Sequence, residues 1–219
     1  MEQTMINRRG ILRSGAAVFA CSALPAAAHE ETETVLSQEF MPRLVSMDNL
    51  VPPEELHVVP DEFALYWTLP GRRAMRYSVG IGRPGLYEPG EFFVGAKKEW
   101  PSWTPTPGMI RRKPEKYARY KDGMPGGLDN PLGARALYLF TPERGDTFLR
   151  IHGTNEPDTI GQAVSNGCAR LVNEQIIELY EQVPLKAKVA LHDKGAVFPG
   201  FAKAATAHHS TANGALAPG

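Results

Sequence analysis

The chain has 219 residues, with 24 Lys and Arg against 24 Asp and Glu, so its formal net charge is zero. This length suits one domain with a proper core plus tails, and the lack of a basic surplus argues against nucleic acid as a partner. Glycine and proline are abundant, at 21 and 19 residues, which favours a turn-rich, mainly β fold over a helical bundle.

The N-terminus predicts an export signal. Residues 7–13, NRRGILR, resemble the twin-arginine signature, and an apolar, alanine-rich run follows over residues 16–24. Ala26 and Ala28 form a small-x-small cleavage site, so we predict a signal peptide over residues 1–28 and a periplasmic mature chain. Lipoprotein processing at Cys21 is the alternative, although the three residues before it match that signal poorly.

The rest of the chain divides into an arm, a domain and a tail. Residues 29–55 are polar and acidic without a sustained period, which predicts a linker or loosely packed arm. One domain is predicted over residues 56–195, and its strands are expected at 56–59, 63–69, 74–80, 91–95, 136–140, 147–151 and 188–192. Residues 196–219 are of low complexity and predict a disordered tail.

Helical spacing occurs in one sustained place. The apolar residues between 172 and 183 predict a helix that Asn173 caps and Pro184 ends. A second, shorter helical piece is expected at residues 114–120. Together with the strands, this predicts a mainly β fold, a sandwich or barrel with one or two short helices.

Residues 99–133 form an unusually long stretch of aromatic residues, prolines and glycines. A loop of this length inside a domain usually carries function. Two interpretations of Trp100 and Trp103 stay open at this point. They line a substrate groove, or they plug the end of the sandwich.

Cys168 is the sole cysteine of the predicted mature chain, because Cys21 is removed with the signal peptide. A structural cysteine in an oxidising compartment normally has a partner, so an unpaired one predicts a reactive thiol. His152 precedes it in the same segment and Arg170 follows it. A base, a sulfur and a fixed positive charge are what a thiol nucleophile needs, and Gly167 lets backbone N–H groups approach an oxyanion.

The segment Ser165-Asn166-Gly167-Cys168-Ala169-Arg170-Leu171, preceded by His152-Gly153-Thr154, resembles the signature of the L,D-transpeptidase catalytic domain, the YkuD family. The resemblance extends over residues 56–193. It implies that Cys168 is the nucleophile and His152 the base, oriented by the backbone carbonyl of Gly153. It further implies residues that shape the oxyanion hole and position the substrate: Ser165, Asn166, Gly167 and Arg170.

Asn166 departs from the family pattern, which most often has histidine at this position. An amide donates hydrogen bonds but does not titrate, so His152 is left as the only plausible base.

The reaction that the resemblance implies is acyl transfer on peptidoglycan stem peptides, without cofactor or metal. The thiol attacks the bond after the L-centre of diaminopimelate in a tetrapeptide stem, and D-alanine leaves. The acceptor amine belongs to a second stem, giving a 3→3 cross-link, or to an outer-membrane protein or lipoprotein. The enzyme is expected to be a monomer that does not bind nucleic acid.

Three alternatives remain beside this expectation. Water as the acceptor would make the protein an L,D-carboxypeptidase. A degenerate site would leave a non-catalytic wall-binding protein. A sortase-like transpeptidase combines the same residue types, but its histidine lies much further from its cysteine.

Overall fold

The computed structural model describes residues 37–196 together with residues 198 and 200, and these belong to one compact unit. Its strands are β1 Arg43–Ser46, β2 Glu55–Val59, β3 Ala64–Leu69, β4 Arg73–Ser78, β5 Ile81–Gly82, β6 Gly90–Glu99, β7 Arg135–Thr141, β8 Gly145–His152, β9 Ala163–Ser165, β10 Ala169–Arg170 and β11 Lys188–Leu191. Its helices are α1 Pro107–Arg112, α2 Pro114–Tyr117 and α3 Asn173–Gln182, and short 3-10 turns cover Gln38–Phe40, Pro60–Glu62, Ala118–Tyr120 and Pro157–Thr159.

Nine of the strands in this described region form one sheet in the order β1-β4-β3-β2-β11-β6-β7-β8-β10, and β5 pairs with β9 in a second, two-stranded sheet. Most neighbours are antiparallel, as expected for strands joined by hairpins. The exceptions within the large sheet are β2 with β11 and β8 with β10, which run parallel. The prediction of a mainly β fold with few short helices is confirmed.

The core lies between the sheet and α3. Alternating strand residues such as Leu137 and Leu139 are fully buried, and Ile176 and Leu179 of α3 belong to the same apolar cluster. A helix whose apolar residues recur every three or four positions covers a sheet face in this way. Residues of β8 and β10 belong to the same apolar cluster, so this packing stabilises the sheet edge where the candidate site lies. Among the described residues, no helix has the length and apolarity needed to cross a membrane.

The helix prediction needs one correction. Asn173 does not cap α3; it is the first helical residue, and Val172 is at the cap position without a side-chain bond. The Asn173 Oδ1 instead accepts the backbone N–H of Ala134 at 2.9 Å. An asparagine before an apolar run resembles a cap, but here its side-chain oxygen accepts from Ala134, a residue just before β7 and distant in sequence.

The part of the predicted linker that the structure describes contains regular structure. Arg43–Ser46 forms β1, which pairs antiparallel with β4 at the edge of the sheet. Three of its four residues are exposed, so the stretch lacks the alternation that predicts a half-buried strand. Phe198, at the start of the predicted tail, is buried. The predicted signal peptide and the tail beyond residue 200 lie outside the described residues.

Phe198 packs against a pair of histidines that joins β2 to the end of β11. Its ring centroid is 4.9 Å from that of His57 and 5.7 Å from that of His192. The Nδ1 of His57 and the Nε2 of His192 are 3.1 Å apart. Burial, and then the neighbouring His192, lower the pKa of His57 to about 4.

We expect this pair to make the fold acid-labile. Unfolded His57 titrates near its ordinary pKa of 6.5, so between about pH 6.5 and pH 4 the unfolded chain binds a proton that the folded chain does not. Stability therefore falls as the pH falls through this window. Between pH 7 and pH 5 the wild-type protein should lose on the order of 2 kcal/mol more unfolding free energy than His57→Gln. Urea denaturation at both pH values measures the difference, and identical losses in the two proteins would contradict it.

Candidate active site

The site is built on the parallel pairing of β8 with β10, in which Arg170 lies opposite His152. Side chains alternate along a strand, so residues two apart share a face. Cys168, one residue before β10, therefore shares a face with Arg170, and Arg150 shares one with His152. All four residues line one cavity of about 680 Å³.

A tight turn over residues 165–168 carries the cysteine. The Ser165 hydroxyl donates to the Cys168 carbonyl at 2.7 Å and accepts the Gly167 N–H at 3.2 Å. Gly167 has φ +125°, and a Cβ there would lie 2.9 Å from the Leu86 carbonyl oxygen. Glycine is therefore required at this position, and Ser165 is tied to the backbone of the turn. The resemblance implied that Gly167 helps to shape an oxyanion hole, and in this structure its own N–H donates to the Ser165 hydroxyl.

His152 is neutral in the resting site. Its Nδ1 lies 2.6 Å from the carbonyl oxygen of Gly153, which only accepts, so Nδ1 carries the proton and Nε2 keeps a free lone pair. Burial lowers the pKa of His152 to about 3; the Gly153 carbonyl opposes that shift, whereas the positive charges of Arg170 and Arg150 add to it. With its pKa this low, the imidazole is unprotonated at neutral pH and is a weaker base than a free histidine.

Two glycines hold the backbone around this histidine. A Cβ on Gly153 or on Gly133 would collide with the Oδ1 of Asn173. Gly133 also has φ +63°, in the left-handed region that favours glycine. The amide of Asn173 consequently packs directly against the backbone whose carbonyl orients His152.

Cys168 is a free thiol, half-buried in the cavity wall. Burial raises its pKa, and the backbone N–H of Arg150 and the guanidinium groups of Arg150 and Arg170 oppose the increase. Because the burial effect is the larger, the resting state is a thiol beside a neutral imidazole and not a thiolate ion pair.

Arg170 is buried, and among the described residues its positive charge is paired with one carboxylate, that of Glu156. Its Nη1 lies 3.3 Å from Glu156 Oε2, and that carboxylate also faces the Lys116 ammonium at 3.6 Å. The Nε and Nη2 atoms of Arg170 are buried without a hydrogen-bond partner among the described residues. Burial lowers the pKa of Arg170, whereas Glu156 raises it.

Asn166 is held by side chains that the sequence analysis did not single out. Its Oδ1 accepts from Arg83 at 2.5 Å and from Arg112 at 3.1 Å, and its Nδ2 donates to the Tyr117 hydroxyl at 3.2 Å. Arg83 and Arg112 lie far from Asn166 in sequence, and neither belongs to a motif. Arg150 was missed as well, although its place two residues before His152 in a predicted strand puts it on the same face.

The long segment before β7 forms the opposite wall of the cavity. Trp103 lines the cavity, and its ring meets those of Tyr117 and Tyr120 edge-on, with centroids 6.1 and 5.9 Å away. Trp100 is 43% exposed and is not part of the lining. Of the two tryptophans, only Trp103 therefore belongs to the groove. The described residues contain no cluster of three or more His, Cys, Asp or Glu side chains that could hold a metal ion.

The fold and the site define a mainly β protein with a free thiol, a neutral imidazole and two arginines around one cavity. The family model of the L,D-transpeptidase catalytic domain (YkuD) matches residues 53–191. The chain belongs to this family.

Two relatives agree with this membership, and one solved structure is also similar to the chain. A putative L,D-transpeptidase from the ATP synthase region of Fuscovulum blasticum is 35% identical over 204 residues, which cover 84% of this chain and 96% of that protein. The probable L,D-transpeptidase ErfK/SrfK of Escherichia coli K12 is 32% identical over 71% of this chain, which spans only about half (52%) of that protein. A Brucella melitensis structure described as a probable carnitine operon oxidoreductase is 43% identical, covers 68% of this chain and 92% of its own, and has a TM-score of 0.49.

The turn that carries the cysteine yields a paired prediction about glycine. Gly167→Ala adds both backbone strain and a clash with Leu86, whereas Gly85→Ala at φ +80° meets no atom within 4 Å. We expect Gly85→Ala to cost about 1–2 kcal/mol of unfolding free energy and Gly167→Ala at least about 1 kcal/mol more. Urea denaturation of both variants measures this, and equal costs would show that the turn is not sterically fixed.

The protonation state of the site yields a second prediction. In a Cys21→Ser chain, iodoacetamide should alkylate Cys168 slowly at pH 7, with a rate that rises beyond about pH 8.5, the ordinary thiol value, because burial raises the thiol pKa. The urea-unfolded chain is the control and should titrate at the ordinary value. A rate that levels off below pH 7 in the folded protein would show a resting thiolate instead.

Proposed function

We propose that the protein is an L,D-transpeptidase that uses Cys168 as its nucleophile on peptidoglycan tetrapeptide stems. Family membership supports the reaction class. The observation that carries the residue assignment is the β8–β10 pairing, since it brings the thiol, the imidazole and two arginines to one cavity. Acyl transfer needs a nucleophile, a base and stabilisation of negative charge, and these side chains supply them.

In the first step the Cys168 Sγ bonds to the carbonyl carbon after the L-centre of diaminopimelate while its proton passes to Nε2 of His152. The C–N bond then breaks, and the leaving nitrogen of D-alanine takes that proton back from His152. A thioester remains on Cys168. Because the pKa of His152 is lowered to about 3, the imidazole is unprotonated at neutral pH and would hold the thiol proton only while the sulfur attacks.

In the second step an acceptor amine gives a proton to His152 and attacks the thioester, which restores the thiol. A second stem would give a 3→3 cross-link, a lysine of an outer-membrane protein or lipoprotein would give an anchored protein, and water would give a shortened stem. We further propose that this chemistry takes place in the periplasm after twin-arginine export.

Arg150 and Arg170 have the electrostatic role in this proposal. Both lower the free energy of the Cys168 thiolate, as the direction of their effect on its pKa indicates. The same positive charge would stabilise the tetrahedral oxyanion, which forms on the carbonyl oxygen attached to the carbon that the sulfur attacks. Ser165 and Gly167 act on the backbone of the turn and position the thiol.

Mass spectrometry of muropeptides after incubation with purified protein tests the proposal. The wild-type chain should form cross-linked dimers or shortened stems with loss of D-alanine. Cys168→Ala should form neither, and His152→Gln should be slower by about 10²–10⁴-fold because the base is lost.

Cys21→Ser is the matched control, and its product profile should equal that of the wild-type chain. If Cys168→Ala gives the same muropeptides as the wild-type protein, the enzymatic proposal fails. The product that accumulates also identifies the acceptor.

A further inference from the structure

Two guanidinium groups converge on one neutral oxygen beside the thiol. The Nη2 atoms of Arg83 and Arg112 lie 2.5 and 3.1 Å from the Oδ1 of Asn166. A guanidinium only donates, so the amide must present its oxygen to both. Arg83 is further fixed because its backbone N–H donates to the Ser165 carbonyl at 3.1 Å.

The positive charge at this point is not neutralised by the described part of the chain. Neither Arg83 nor Arg112 forms an ion pair with a described acidic residue. The acidic residues of the cavity that make ion pairs have other partners, Glu156 with Arg170 and Lys116, and Glu88 with Arg144. An amide oxygen carries no net charge, so two like charges share one acceptor that cannot compensate them.

The geometry leaves room for an anion. Each guanidinium has five N–H donors, and the contact with Asn166 uses one nitrogen of each. Arg112 is exposed and lines the cavity together with Asn166, whereas Arg83 is half-buried and supports the amide. Planar guanidinium groups bind carboxylates through paired hydrogen bonds, which are about twice as strong as neutral ones.

The position of Asn166 relative to the Cys168 thiol indicates which carboxylate would bind there. Asn166 precedes Cys168 by two residues, a span of at most about 7 Å along the backbone. Asn166, Arg112 and Cys168 also line the same cavity, so a stem whose scissile bond lies at the thiol can present a nearby carboxylate to Asn166 and Arg112. The tetrapeptide stem of the proposed function has two carboxylates close to that bond, one on the terminal D-alanine and one on the second centre of diaminopimelate.

We propose that Arg83, Arg112 and Asn166 form a subsite for a carboxylate of the donor stem, and that Arg112 determines donor specificity. The inference rests on the proposed function.

Binding of synthetic stems to the full chain carrying Cys168→Ala tests the subsite without turnover. Three stems are titrated by calorimetry: the free tetrapeptide, the stem amidated at the terminal D-alanine, and the stem amidated at the second centre of diaminopimelate. We expect one amidation to weaken binding by about ten-fold or more, since a charge-assisted hydrogen bond is lost, and that stem identifies the carboxylate.

Arg112→Gln and Arg111→Gln form the matched pair on this background. They are neighbours in α1, and only Arg112 lines the cavity. Arg112→Gln should bind the free stem about ten-fold more weakly and lose the discrimination between free and amidated stems, whereas Arg111→Gln should retain both.

Asn166→Asp provides an independent variant. A carboxylate at this position neutralises both arginines from within, so the folded protein should be at least as stable to urea while its affinity for the free stem falls. The subsite is refuted if all three stems bind equally, if no stem binds, or if Arg111→Gln and Arg112→Gln behave alike. Muropeptide turnover by the protein with an intact Cys168 decides the proposed function separately.

Discussion

The site depends on a parallel strand pair only two residues long. β10 is held on one side by β8, where the Leu171 N–H donates to the His152 carbonyl at 2.9 Å, and on the other by Gly80, which exchanges two backbone hydrogen bonds with Arg170 at 2.8 and 2.9 Å. A slip of one residue would turn the side chains of Cys168 and Arg170 to the opposite face, away from the cavity. The buried core beneath β8 and α3 makes such a slip unfavourable, which is how the fold positions the thiol.

Burial and two arginines together set the protonation states of Cys168 and His152 in the resting site. Two arginines favour the Cys168 thiolate and disfavour protonated His152, while burial disfavours the charged form of both. Burial outweighs the arginines at the thiol, so the pKa of Cys168 is raised. In the proposed reaction the proton would leave the thiol as the sulfur attacks, and the arginines would then also stabilise the developing oxyanion. A thiol that is protonated at rest is also less exposed to oxidation, because the thiolate is the reactive form.

Much of the framework was predictable because it is local. The strand and turn pattern predicted the hairpin of β3 and β4 and the strands around His152. One motif led to Cys168 and His152, and the structure brings both to the same cavity, while their roles as nucleophile and base stay a prediction. What the sequence could not predict depends on contacts between distant segments. Asn173 is a residue type that often caps helices, but its side chain accepts the backbone N–H of Ala134 from a distant segment. β1 lies at an exposed edge of the sheet, and its buried and exposed residues do not alternate. Arg83, which follows β5, and Arg112 of α1 are far apart in sequence, yet both donate to the side chain of Asn166 in the turn.

Asparagine at position 166 has a physical consequence that a histidine would not share. An imidazole between two guanidinium groups would be a titrating neighbour, with its protonation opposed by both positive charges. The amide has no titrating proton, so it adds no pH-dependent charge to this part of the turn. If the proposed subsite binds a carboxylate, its recognition would then not depend on the protonation of residue 166. Asn166 also leaves His152 as the single imidazole among the described residues that line the cavity.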